Sequence, residues 1–252
     1  MSEEIKKDAA RLAAAIRAFR AEMNPVTEKE LAEAFEEATL FMPVRQMDEE
    51  RDGSNIKYVA IRSEDGQFFA PAFTSVEERQ RWNDGPPDMT ALPAAKLREM
   101  LPAMQNLSGV VVDFAGENPH VFSMGSLDRL AFVYSEGQKQ HALQTGQGYR
   151  IRPVEFIPAG MSEVVSECAK KYDGVQAVYL LDVDFDCVAG KENPPRDMLL
   201  AVEATGEFPV KLPREMGEAL RSIFSGGEVL HIGGANVLGT VREKIQPIYR
   251  RG

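Results

Sequence analysis

The chain has 252 residues, 44% hydrophobic and 27% charged, enough for one large domain or two of ordinary size, each with its own core. With 29 basic against 39 acidic residues the formal net charge is −10. That balance argues against non-specific binding to nucleic acid or an anionic membrane, both of which need clustered Lys and Arg. Cys168 and Cys187 are too few for a disulfide framework and lack metal-ligand spacing. MSEEIKKDAARLAAAIRAFR is broken by charge where a secretory signal keeps about 7 to 15 apolar residues. Nothing approaches the roughly 18 consecutive apolar residues of a membrane span, so a cytoplasmic protein is expected.

Ile5, Leu12 and Phe19 are seven apart, with Ala9, Ile16 and Met23 between them, a heptad-like apolar seam on a charged helix that ends at Asn24-Pro25. This seam suits docking on the chain's own core. It also suits a partner contact through Ile5, Leu12, Ile16 and Phe19. Thr27-Glu-Lys-Glu30 fits a capping box ahead of a short helix carrying Leu31, Ala34, Phe35 and Ala38. LFMPV (40–44) and NIKYVAIR (55–62) read as strands around the polar loop MDEERDGSN. Ser63-Glu-Asp-Gly66 reads as a hairpin turn into FFAPAF (68–73).

At Thr74-Ser75 the apolar run stops and a charged segment begins that ends in the sole tryptophan, Trp82. Ser75 with Glu78 three residues on forms Ser-x-x-Glu, a helix start, and Glu77 and Glu78 suit the positive end of its dipole. Those glutamates also argue against an anion site there. Trp82 is expected to anchor a core.

LPAAKLREMLPAM (92–104) reads as a helix interrupted by Pro102, GVVVDF (109–114) as a central strand and HVFSM (120–124) as a short one. EGQKQHALQTGQGYR (136–150), with three glycines, four glutamines and no apolar stripe, reads as a linker. Beyond it the pattern restarts with the strand YRIRPVEF and a helix from Met161 to Tyr172 that turns Val164, Val165 and Cys168 inward. The long strand VQAVYLLDVDFDCV (175–188), its partner MLLAVEA (198–204), the helix LPREMGEALRSIF (212–224) and a last strand in GGEVLHIG follow. The expected fold is α+β. It comprises an amino-terminal amphipathic helix (1–24), a mixed-sheet domain (25–135), a linker (136–148) and a second mixed-sheet domain (149–252).

The corner PAFTSVEERQRW, followed by GVVVDFAGENPHVFS, resembles the amino-terminal domain of the enhanced-serine-sensitivity (SseB) family. The half from Tyr149 to KIQPIYRRG looks like that family's carboxy-terminal domain, so the resemblance covers about nine tenths of the chain. Its pieces are Phe73-Thr74-Ser75 with Trp82, and Pro247 with Tyr249. Where the family commonly has Asn-Pro after the central strand, this chain reads Asp113-Phe114-Ala115, and the helix 5–23 stands ahead of the usual start. The resemblance implies an intracellular bacterial protein of two α/β domains without an established enzymatic activity. By loose association it also implies links to serine sensitivity and type III secretion.

Asp182, Asp184 and Asp186 alternate, which would put three carboxylates on one strand face. Steps of about 7 Å are too long for one cation without other ligands, so a solvated face or protection of an edge is expected. His120, His141 and His231 lie on separate elements, and His231 reads as a hydrogen-bonded core or edge histidine. HIGGANVLG has neither dinucleotide nor P-loop spacing and reads as a turn, and Cys187 reads as an inert thiol facing a strand interior. No catalytic motif, metal or cofactor is assigned. The expected function is non-catalytic, through a protein partner or self-association. The alternative is a small-molecule (amino-acid-related) sensor or enzyme with a pocket between the domains, near Phe73, Thr74, Ser75 and Trp82.

Overall fold

The computed structural model describes residues 3–46, 56–104, 106–188, 196–224 and 228–252. The polar loop expected at 47–55 lies outside the described residues, as does the side chain of Ile5. The fold is α+β, in two compact units, Met1–Gly137 and Gln138–Gly252.

The first unit opens with helices α1 (Glu3–Ala21) and α2 (Pro25–Glu37). The cap of α2 is Asn24, three residues before the expected Thr27. Asn24 Oδ1 accepts the N–H groups of Val26 and Thr27 at 2.9 and 3.0 Å, and Thr27 Oγ1 accepts the N–H of Asn24 at 3.2 Å. Proline at the first helical position wins here, because its ring already holds a helical φ and its missing N–H would have been unsatisfied anyway.

Strands β1 (Thr39–Gln46), β2 (Ile56–Tyr58), β3 (Ile61–Arg62) and β4 (Phe68–Ala72) follow, so the single strand expected at 55–62 is two. β2 pairs with β1, whereas β3 pairs with β4 through the Asp65-Gly66 turn, where Gly66 has φ +88°. Helix α3 (Val76–Gln80), strand β5 (Met89–Pro93) and helix α4 (Ala94–Met100) come next, α4 ending in a 3-10 turn at Leu101–Ala103. The start of the helix expected at 92–104 therefore belongs to a strand. With β6 (Leu107–Val112) and β7 (His120–Ser123), two sheets result, ordered β2-β1-β5 and β3-β4-β6-β7, with β4 and β6 parallel.

One core fills this unit. Leu12 and Ile16 of α1, Leu31 and Phe35 of α2, Leu97, Leu101, Val110 and Phe122 are all essentially inaccessible. Phe35 and Phe122 meet at 4.9 Å between ring centroids. Each such ring contributes about 1.5–3 kcal/mol by leaving water.

Helix α5 (Met124–Thr145) begins in this unit and ends in the second. It runs through most of the stretch expected as a linker, and it buries Lys139 and Ala142 there. The second unit continues with β8 (Tyr149–Pro153), α6 (Met161–Lys170), β9 (Val175–Phe185), β10 (Asp197–Ala204), α7 (Leu212–Leu220), β11 (Val229–Gly234) and β12 (Tyr249–Arg250). The order is β11-β10-β9-β12, with β8 also on β9. β9 is covered along both edges, by β10 on one side and by β8 and β12 end to end on the other. One sheet face packs on Met161, Val165, Leu212 and Met216, and the other carries Tyr179, Leu181, Phe185 and Leu238.

The aspartate run is corrected by this topology. Asp186 has left the strand for a 3-10 turn (Asp186–Val188). Asp182 is buried and accepts from Arg196 Nε at 2.9 Å, while Arg152 Nη1 lies 3.2 Å from Asp184 Oδ2. Both carboxylates face arginines on neighbouring segments and the strand is no edge, while Asp184, itself exposed, keeps the solvated position expected of it. Cys187 shares the turn with Asp186 and is exposed, not directed into a strand interior.

Candidate functional site

Parallel strands β4 and β6 end side by side, Ala72 opposite Val112, and the chain leaves both in the same place. After β4, Phe73 exchanges backbone hydrogen bonds with Phe41 at 2.8 and 3.0 Å, and Ser75 Oγ caps α3 by accepting the N–H of Glu78 at 3.1 Å. After β6, Asp113 turns the chain with φ +51°, a left-handed conformation that Asp tolerates better than most residues. Its carboxylate accepts twice from Thr74, from the N–H at 2.8 Å and from the hydroxyl at 2.7 Å. Thr74 and Asp113 are both buried, at 4% and 8% exposure, so each satisfies the other away from water. Burial pushes the Asp113 carboxyl above its ordinary range, against the lowering effect of the two Thr74 bonds and the nearby Arg81 charge.

A cleft of about 160 Å³ opens beside this lock, lined by Thr74, Glu78, Asp113, Glu117 and Asn118, with Ile16 and Arg17 from α1. Glu78 is turned towards Gly116, where any side chain would collide with its carboxylate. Arg81 reaches Glu78 Oε2 at 3.5 Å and Glu117 Oε1 at 3.7 Å. Both separations exceed the ~2.7–2.9 Å of a charge-assisted hydrogen bond. Glu78 Oε2 is buried and receives no hydrogen bond. The volume suits a head group or a few waters, being well below the ~300–1,000 Å³ of pockets that hold drug-sized ligands.

The expected site residues separate. Phe73 is fully buried and stacks on Trp82 at 6.3 Å between centroids. Trp82 is half-buried against Phe114 at 5.0 Å and under the Arg79 guanidinium at 5.6 Å, a scaffold that holds the corner rather than a wall of the cleft. Ser75 is occupied as a helix cap, and Thr74 alone of the four candidates lines the cleft. Leu12 and Ile16 lie in the unit's own core and Phe19 packs against it, which corrects their assignment to a partner contact. Burial in the first unit takes Leu12 and Ile16 out of a partner's reach, while Phe19 is only half-buried.

Sequence reasoning missed Asp113, Glu78 and Glu117 as a group, because strand parallelism brings them together, not spacing. The one local signal was an aspartate directly after the β-branched run GVVV. It also missed a buried charge cluster in the second unit. There Asp197 Oδ1 meets Lys139 Nζ at 2.8 Å and His231 Nε2 at 2.7 Å, with every side chain under a tenth exposed. His231 is thus a hydrogen-bonded core histidine.

Among the described residues, no helix is long and apolar enough to cross a membrane. Residues 12–127 match the family model of the SseB protein N-terminal domain. Neither a curated protein nor a solved structure matches the chain.

Proposed function

We propose, from the premise that residues 12–127 of this chain form an SseB N-terminal domain, that the protein works by binding and not by catalysis. What it captures is a cationic head group, an ammonium or guanidinium, in the cleft beside Thr74 and Asp113. Glu78 Oε2 carries this reading, as a buried carboxylate oxygen that receives no hydrogen bond. A buried acceptor without a hydrogen bond costs about 1–3 kcal/mol, here offset in part by the Arg81 charge at 3.5 Å, and an entering N–H donor supplies the missing bond. The Thr74–Asp113 lock holds the adjoining wall of the cleft in place before a ligand arrives, which lowers the ordering cost of binding.

The head group can belong to a protein partner or to a free amine. The protein reading keeps the expected protein-binding role, cytoplasmic location and second SseB domain at 149–252. The free-amine reading is the small-molecule alternative.

Amide resonances of the full chain, titrated with n-butylamine and with a lysine-containing peptide, test this. Saturable shifts at Thr74, Glu117 and Asn118 that Glu78→Gln weakens at least about tenfold support it. A peptide binding more than about tenfold tighter than the amine assigns a protein partner, and equal affinities assign a small molecule. Unmoved resonances, or a Glu78→Gln variant that binds like the parent, overturn the reading.

A further inference from the structure

A second cleft, of about 270 Å³, lies wholly in the Gln138–Gly252 unit, where β10 and β11 end. These strands are parallel neighbours in a sheet whose other described pairings are antiparallel, and both run out at the cleft, β10 at Ala204 and β11 at Gly234. Carboxyl ends of adjacent parallel strands are where open sheets leave a crevice for ligands. The lining that bears chemistry is Glu203, Arg242, Asn236 and Phe208.

Glu203 is held from two directions. Tyr179, whose ring is buried in the core, donates its hydroxyl to Glu203 Oε2 at 3.2 Å, and Arg242 pairs with Glu203 Oε1. Arg242 remains half-exposed and Glu203 about a quarter exposed. The cleft therefore presents one anion and one cation side by side, each with bonding capacity to spare. A guanidinium has five N–H donors and a carboxylate about four acceptor sites. A lone anion would meet Glu203, and a lone cation would meet Arg242. Phe208, partly buried beside them, adds a small apolar wall.

We infer that this cleft binds a small zwitterion whose ammonium nitrogen and carboxylate are joined through one or two carbon atoms. The ammonium sits on Glu203, the carboxylate on Arg242 and a short apolar substituent on Phe208. The volume matches a small ligand, lying just below the ~300–1,000 Å³ of pockets that hold drug-sized ones. This inference is independent of the amine cleft, since the two share no residue.

The test is an amide-resonance titration of the full chain with L-alanine and L-valine, using acetate and methylamine as half-ligands. The expected result is saturable movement of Gly206, Gly234 and Asn236 at millimolar zwitterion, at least about tenfold weaker for either half-ligand. Arg242→Gln and Glu203→Gln should each weaken the zwitterion at least about tenfold with circular dichroism unchanged. Arg242 is exposed enough for its variant to fold, so the outcome does not depend on the better-packed Glu203. Static resonances, half-ligands that bind as tightly as alanine, or an Arg242→Gln variant with unaltered affinity each overturn the proposal. Shifts confined to Thr74, Glu117 and Asn118 report the first cleft and count against the second.

Discussion

Asp197 puts two buried donors on one carboxylate oxygen. Lys139 Nζ, which also lies 5.7 Å from the Phe185 ring, approaches at 2.8 Å, and His231 Nε2 at 2.7 Å. An ionised carboxylate only accepts, so His231 carries its proton on Nε2 here. Taking two charges out of water costs several kcal/mol per ion, and their attraction offsets this only while the geometry holds. Such a cluster is therefore better evidence of specificity than of net stability. It fixes which residue of α5 faces β10. Asp197→Asn removes the counter-charge beside Lys139 and is expected to cost about 3–5 kcal/mol in urea unfolding. Lys139→Met alone should cost less, because His231 still donates to Asp197. The double variant should fall short of the sum of the single losses by about 1–3 kcal/mol. Additivity within about 0.5 kcal/mol would mean that the two charges are not coupled.

Among the elements, α1 shows how much a period can and cannot say. Its stripe through Leu12 and Ile16 was legible at once, as were the Asp65-Gly66 turn and the Ser75 cap, because each depends on neighbours within a few residues. What the stripe faces is a tertiary fact, and it faces α2 and the sheets of its own unit. Ile16→Ala is accordingly expected to cost about 2–5 kcal/mol of stability with no change in sedimentation coefficient. A variant as stable as the parent but altered in mass would return the seam to the surface. The carboxy-terminal half of α5 stayed hidden for the opposite reason. Its inward positions are Lys139 and Ala142, so the stripe is disguised by a lysine whose burial depends on Asp197, 58 residues away. Gly137 added to the disguise, although one glycine weakens a helix by only about 1 kcal/mol. Likewise 55–62 alternates like one strand, and nothing local says that Ile56–Tyr58 joins β1 while Ile61–Arg62 joins β4.

For the whole molecule, stability at a given pH is a sum over groups whose proton affinity changes on folding, and two such groups lie in the first unit. In Glu28, the Arg129 guanidinium at 2.8 Å holds the carboxyl below its ordinary value of 4.5. Its stabilisation is present above that value and lost as pH falls through the folded one, and exposure of the arginine keeps it small. Asp113 runs the other way. Burial raises its carboxyl above the ordinary 3.8, so the folded state holds the proton longer than the unfolded one. Its contribution is full below 3.8 and declines as pH rises through the folded value. Asparagine removes the titration and keeps the geometry. It accepts a left-handed φ, its Oδ1 can take the Thr74 N–H, and its Nδ2 can donate to the Thr74 oxygen. The stability of Asp113→Asn relative to the parent should therefore climb with pH from 3.8 upward. The slope should be at most about 1.4 kcal/mol per pH unit, flattening once Asp113 is ionised in both states. Urea unfolding of both proteins at a series of pH values measures that difference. Parallel curves, or a variant that gains on the parent towards acid, would show that Asp113 is not desolvated as its place between β4 and β6 requires.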